Sequence, residues 1–176
     1  ILGDGSADYI EGNDGADNIY GGYGNDIILG GDGSDYATGN YGNGEINGGD
    51  GNDKISGGHG DDLIRGDGND TIREEESLDY IDGGAGADKF FGGNCADTLF
   101  GGADDDILEG GSDAGFIQGG DGADTLYGGS GDDILKCGAG NAKTFAGKGG
   151  DDISGGAGND EIELADKTVS AGSNTT

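Results

Sequence analysis

Gly21-Gly22-Tyr23-Gly24-Asn25-Asp26-Ile27-Ile28-Leu29 is followed without a break by Gly30-Gly31-Asp32-Gly33-Ser34-Asp35-Tyr36-Ala37-Thr38. The same nine-residue register extends from Gly3 to Glu163 and makes eighteen tandem units. Eight of them keep the pattern G-G-x-G-x-D-x-U-x throughout, where U is apolar: those beginning at Gly21, Gly30, Gly48, Gly57, Gly83, Gly119, Gly128 and Gly155. The other ten are degenerate copies, and the frame slips once, at Gly66 to Arg73, where one residue is missing. A fixed short period of this kind marks a solenoid, in which each repeat can bury its apolar residue only against its neighbours.

Two columns of the repeat carry the physics. The eighth position reads Ile10, Ile19, Ile28, Ala37, Ile46, Ile55, Ile64, Ile72, Ile81, Phe90, Leu99, Leu108, Ile117, Leu126, Leu135, Thr144, Ile153 and Ile162, and only Thr144 is polar. One inward residue flanked by two outward ones predicts a three-residue β-strand, with the glycine-rich residues before it forming a turn that admits positive φ. The sixth position, at the junction of turn and strand, holds Asp8, Asp17, Asp26, Asp35, Asp53, Asp62, Asp70, Asp79, Asp88, Asp97, Asp106, Asp124, Asp133, Asp151 and Asp160; Gly44, Gly115 and Ala142 are its exceptions.

This nonapeptide resembles the repeat of the RTX (repeat-in-toxin) calcium-binding family, over nearly the whole chain. The resemblance implies an all-β fold: a right-handed parallel β-roll, a β-helix solenoid with two nonapeptides per coil and about nine coils. Odd and even units would build two stacked parallel sheets over residues 1–163, irregular at 66–82, and residues 164–176 would form a polar C-terminal tail or short cap. It also implies that Ca²⁺ sits between the turns of successive coils, and that the fifteen aspartates of the sixth position, with neighbouring backbone carbonyls, are its ligands.

With turns stacked as the resemblance implies, the chemistry fits calcium. Turns stacked every second unit place like-charged aspartates about 4.8 Å apart, the spacing of strands in a sheet. A hard cation taking six to eight oxygens relieves that repulsion, whereas Mg²⁺ demands strict octahedral geometry and Zn²⁺ would want His and Cys clusters that are absent. Eighteen units offer at most 16 pairs of turns one coil apart, and degenerate turns lower the expected number of Ca²⁺ ions to about 10 to 14. The bland alternative, a merely solvated acidic turn surface, explains Asp as a turn residue but not its fixed register.

Composition points the same way. The chain carries 37 acidic against 8 basic side chains, a formal net charge of −29, with 46 Gly and no Pro, Met or Trp. Only 30 of 176 residues are Ile, Leu, Val or Phe, too few to offset ordering entropy by burial alone, so binding of cations should supply folding free energy. The charge speaks against nucleic acid as a partner, and the absence of a long apolar run speaks against membrane insertion. Ile1-Leu2 read as positions eight and nine of a preceding unit, so the array begins in mid-repeat and the stretch reads as part of something longer.

Lone residues complete the reading. His59 is the single histidine and sits at a variable turn position as a bystander. Cys95 and Cys137 fall on opposite sides of a roll and are expected not to pair with each other. Unit nine, Glu74 to Asp82, has no turn glycine and is expected to interrupt the row of aspartates and bulge outward. Fourteen outward strand positions are apolar: Tyr9, Ile27, Leu29, Leu63, Tyr80, Phe100, Phe116 and Ile134 in odd units, with Tyr20, Tyr36, Phe91, Ile107, Tyr127 and Phe145 in even ones. That number on a narrow solenoid suggests a lateral contact. No catalytic constellation is visible, so the stretch is not read as an enzyme.

The expected function is a calcium-binding structural module that folds on Ca²⁺ binding, part of a larger RTX protein exported by type I secretion and located outside a bacterial cell or on its surface. A self-assembling subunit of a calcium-dependent fibre or surface layer, joined through end coils or outward aromatic faces, is the second candidate. A non-catalytic accessory region of a secreted enzyme is the third.

Overall fold

The computed structural model describes residues 1–164, and among them every regular element is a β-strand. The first nine are β1 (Tyr9–Asp14), β2 (Asn18–Tyr23), β3 (Ile27–Asp32), β4 (Tyr36–Tyr41), β5 (Glu45–Asp50), β6 (Lys54–His59), β7 (Leu63–Asp67), β8 (Thr71–Arg73) and β9 (Tyr80–Asp82). They continue as β10 (Lys89–Gly93), β11 (Thr98–Ala103), β12 (Ile107–Ser112), β13 (Phe116–Asp121), β14 (Thr125–Ser130), β15 (Ile134–Ala139), β16 (Lys143–Lys148), β17 (Asp152–Ser154) and β18 (Glu161–Glu163). Odd-numbered strands form one nine-stranded sheet in sequence order and even-numbered strands the other. Every pairing is parallel and joins strand n to strand n+2, so two nonapeptides close one coil and the chain is a parallel β-solenoid of about nine coils.

The register stacks the eighth position on itself. Ile28 pairs with Ile10 and Ile46, Leu99 with Ile81 and Ile117, and on the other sheet Leu108 pairs with Phe90 and Leu126. These residues form one continuous apolar cluster between the sheets, from Ile10 to Leu135 no more than 7% exposed. Burial fades at the final coil, where Ile153 is half-buried and Ile162 exposed. Thr144, the polar member of the column, is fully buried, and its Oγ1 lies 3.1 Å from Cys137 Sγ, which supplies its hydrogen-bond partner.

The strands are longer than three residues. In most units positions seven to nine run on into positions one to three of the next, giving six-residue strands whose eighth and first positions are both buried. Glycine is a poor strand former on its own, but the parallel neighbour on each side supplies a complete hydrogen-bond ladder that holds it extended. The backbone turns instead at positions two and four, where φ is positive, as at Gly102 (119°) and Gly131 (125°). Asn13 and Asn40 replace glycine at position two with φ of 72° and 74°, a conformation asparagine tolerates better than other side chains.

The missing residue of unit eight is absorbed in β7, where the register against β5 shifts between Asn47 and Asp50. Unit nine does not bulge outward. Its strand β9 pairs with both β7 and β11 in the common register, Ser77 takes the positive φ otherwise given to glycine, and Glu74 turns inward to 3% exposure. Strand pairing on both sides fixes the backbone there, so the lost glycines change the lining of the turn rather than its path.

Ile1 and Leu2 lie beside β2, with Leu2 bridged to Tyr20 in parallel. Of the expected tail or cap at 164–176, residues from 165 onward lie outside the described residues. Cys95 and Cys137 are both free thiols. Of the fourteen outward apolar residues, six are half-buried, and several form ladders: Tyr80, Phe100 and Phe116 at centroid distances of 5.4 and 5.5 Å, and Tyr127 with Phe145 at 4.8 Å. A further stacked column, Tyr23, Tyr41 and His59, occupies the third position of alternate units at 4.8 and 4.9 Å.

Candidate metal centre

Each aspartate of the sixth position sits where a turn enters a strand, and its two carboxylate oxygens have different surroundings. Oδ1 accepts a hydrogen bond from the backbone N–H of the sixth residue one coil earlier: Asp17 donates to Asp35 at 2.8 Å, Asp88 to Asp106 at 2.8 Å and Asp106 to Asp124 at 3.0 Å. On the even side this ladder is unbroken from Asp17 through Asp35, Asp53, Asp70, Asp88 and Asp106 to Asp124. On the odd side it runs from Gly44 through Asp62 and Asp79 to Asp97, crossing unit nine without interruption. Where the carboxylate is lacking, at Gly44, Gly115 and Ala142, the backbone N–H still donates forward to Asp62, Asp133 and Asp160.

Oδ2 has no such partner. Asp26, Asp35, Asp53, Asp62, Asp70, Asp79, Asp88, Asp97, Asp106, Asp124 and Asp133 are 1–3% exposed, and the Oδ2 atom of each makes no hydrogen bond. Asp8, Asp17, Asp151 and Asp160, in the end coils, are half-buried. The orphaned oxygen leans over the first glycine of its own unit, where the carbonyl of the first residue one coil later also converges. A methyl group added at Gly101 would collide with Asp106 Oδ2 and the Gly119 carbonyl oxygen, and one at Gly119 with Asp124 Oδ2 and the Cys137 carbonyl oxygen. In these units the missing side chain of the first glycine leaves a cradle walled by oxygen.

Among the described residues no cationic side chain pairs with the column. Among the described residues the ion pairs are Arg65–Glu45 and Lys143–Glu161, both on the surface and neither involving a sixth-position aspartate. Burial pushes the carboxyl of Asp88 up to about 8, those of Asp70, Asp79 and Asp106 up to about 7, and those of Asp62 and Asp97 up to about 6. Asp53, Asp124 and Asp133 are raised by the same cause. The backbone N–H of the neighbouring coil pulls in the opposite direction and does not win, while adjacent aspartates add to the rise at Asp70, Asp88 and Asp106. Buried carboxylates with an unpaired oxygen and no counter-ion are costly, and an all-oxygen cradle of negative charge and backbone carbonyl suits a hard divalent cation.

Three features were not anticipated from the sequence. Glu74, at the first position of unit nine, is buried and brings its carboxylate to within 4.8 Å of ligand oxygens of Asp62 and Asp79. Cys137 stands at the first position of the unit whose sixth residue is Ala142, so the one turn lacking the carboxylate in that unit also has its cradle filled. A second ladder runs along the exposed fifth position, where Asn25, Asn43, Asn52, Asn69, Asp105, Asp132 and Asn141 accept the backbone N–H one coil later. An eighteen-residue period in the fifth column was the available signal for it. His59 is exposed and stacks on Tyr41.

A parallel solenoid with buried, unneutralised carboxylates at eleven of its turns defines a class, the cation-binding repeat solenoids. Within that class, the family model for the RTX calcium-binding nonapeptide repeat matches residues 2–37, 38–72, 77–108, 109–142 and 145–164. The chain belongs to that family. Its repeats bind Ca²⁺, and the column of buried aspartates is consistent with several sites. No curated protein sequence matches the chain.

Proposed function

We propose that this chain is a calcium-responsive structural module of a secreted bacterial protein: extended and poorly ordered where calcium is scarce, and closed into the roll where it is abundant. The supporting observation is the set of eleven buried Oδ2 atoms without a hydrogen-bond partner. The core is no more than one stack of apolar residues from each of the two sheets, and a fold of this kind carrying so many buried charges depends on cations to offset them. The ligands in this reading are the fifteen sixth-position aspartates, each acting through Oδ2 with carbonyl oxygens of the adjoining turns, and about 10 to 14 ions fill the roll. The role is non-catalytic.

A calcium titration followed by far-UV circular dichroism and light scattering, with magnesium as control, tests this. The expected result is a cooperative coil-to-β transition with Ca²⁺ alone, ending in a monomer. A chain fully ordered in excess chelator, or ordered equally by Mg²⁺, contradicts it. The stacked outward aromatics, such as Tyr80, Phe100 and Phe116, favour one alternative, lateral self-assembly into a fibre or layer. Growth of the scattering signal with calcium would select that reading.

A further inference from the structure

The row of calcium-compatible turns is interrupted in sequence where unit nine lacks its glycines, and the family model leaves residues 73–76 unmatched. Glu74 lies in that gap. Its side chain reaches back one coil, to the turn that runs from Gly57 to Asp62: Gly57 N–H donates to Oε1 at 2.6 Å and Gly58 N–H to Oε2 at 3.0 Å. Among the described residues, Asp62, Glu74 and Asp79 are the group of three acidic side chains whose ligand oxygens all lie within 4.8 Å of one another, and each is 3% exposed.

The two backbone donors account for Glu74 but not for its neighbours. Asp62 Oδ2 and Asp79 Oδ2 are buried, have no hydrogen-bond partner and sit against another carboxylate. Asp62 Oδ1 and Asp79 Oδ1 are engaged by Gly44 N–H and Asp62 N–H, so the free oxygens are those left over after the ladder is satisfied. Three buried carboxylates with no lysine or arginine among them form a stronger oxygen trap than the two aspartates, one from each of two stacked turns, that the regular repeat brings together, and affinity for Ca²⁺ rises with the number of charged ligands and the rigidity of their frame. Here the frame is rigid: β7, β9 and β11 pair in register around it.

We propose that Glu74 joins Asp62 and Asp79, the aspartates of the stacked turns of units seven and nine, in one three-carboxylate site for a hard divalent cation, the tightest in the roll and the first to fill. The proposal rests on the calcium-module reading and adds a ligand that the nonapeptide pattern does not contain. A glutamate replaces glycine at the first position, and its carboxylate takes over the cradle that carbonyl oxygens line elsewhere. The central coil, deprived of its turn glycines, thereby becomes the strongest calcium point instead of a gap.

Competition titrations of calcium against a chromophoric chelator, on the full chain, test it with Glu74→Gln, Glu74→Gly and the exposed neighbour Glu75→Gln as control. The unaltered chain should show one calcium held at least about tenfold more tightly than the rest. Glu74→Gln keeps the length and one acceptor but should lose that step while the remaining sites are unchanged, and Glu75→Gln should leave the isotherm as it was. Glu74→Gly restores the glycine of the regular repeat, so it should fold with saturating calcium, as circular dichroism will report, and also lack the tight step. Persistence of the tight step in both Glu74 variants, or its absence from the unaltered chain while many equivalent calcium ions bind, overturns this site and leaves the module reading intact. No calcium uptake by the unaltered chain overturns both.

Discussion

Two neighbouring columns of the turn separate hydrogen bonding from charge. At the exposed fifth position, Asn and Asp serve alike as acceptors for the next coil's N–H. At the buried sixth position the polar residue is always Asp, never Asn, although asparagine would offer the same acceptor oxygen. The ladder through Oδ1 therefore does not account for the choice of residue, and the second, unpartnered oxygen does. The consequence is a prediction for Asp106→Asn. The amide oxygen can still receive Asp88 N–H, so the calcium-saturated roll should form, but the calcium midpoint should rise several-fold because a charged ligand is lost from the adjoining turn. Asp105→Asn, on the exposed neighbour, keeps its acceptor for Ala123 N–H and should leave the midpoint near that of the parent. Equal midpoints for the two variants would show that the sixth-position charge is not what the cation requires.

Most of the six-residue strands bury two residues, a large one at position eight and a glycine at position one. The apolar side chain approaches the glycine directly: a Cβ on Gly110 would come within 2.9 Å of Ile117 Cδ1. With so little room for rearrangement, removing a large residue from mid-array leaves a cavity that cannot collapse. Leu108→Ala, at a fully buried site, should cost about 2–5 kcal/mol in calcium-saturated chemical denaturation. Ile162→Ala, in the last strand and 43% exposed, should cost less than about 1 kcal/mol. Comparable losses would mean that the column is not packed as an interior. The eighth and sixth columns were legible in the sequence because each is a property of one unit repeated, whereas the odd-even division into two sheets came only from the resemblance to the family. Strand length was not, since the glycines at positions one and two read as turn by propensity and are kept within the sheet, despite the positive φ at position two, only by neighbours eighteen residues away. Glu74 was illegible for a related reason. Three consecutive glutamates read as solvated, and only the paired strands of units seven and eleven decide that the first of them faces inward while Glu75 and Glu76 remain outside.

Across the whole molecule, the buried carboxylates make the cation-free roll an acid-stabilised fold. In an unfolded chain these groups titrate near 4. In the roll, burial holds Glu74 and Asp88 near 8 and Asp70, Asp79 and Asp106 near 7. Between those limits the folded state binds more protons than the unfolded one, so its stability falls as pH rises. The favourable contribution is fully present below about pH 4, where both states are protonated, and is gone once pH passes through the folded values of about 7 to 8. Calcium replaces those protons, so at neutral pH its uptake should release them. In chelator, lowering the pH from 8 to 5 should therefore increase the β-sheet signal in far-UV circular dichroism, while in saturating calcium the same change should have little effect. The calcium midpoint should move to higher concentration as protons compete for the same oxygens. A cation-free chain whose order is independent of pH over this range would mean that the aspartate column is not buried until calcium arrives, and that the ladder through Oδ1 forms only with it.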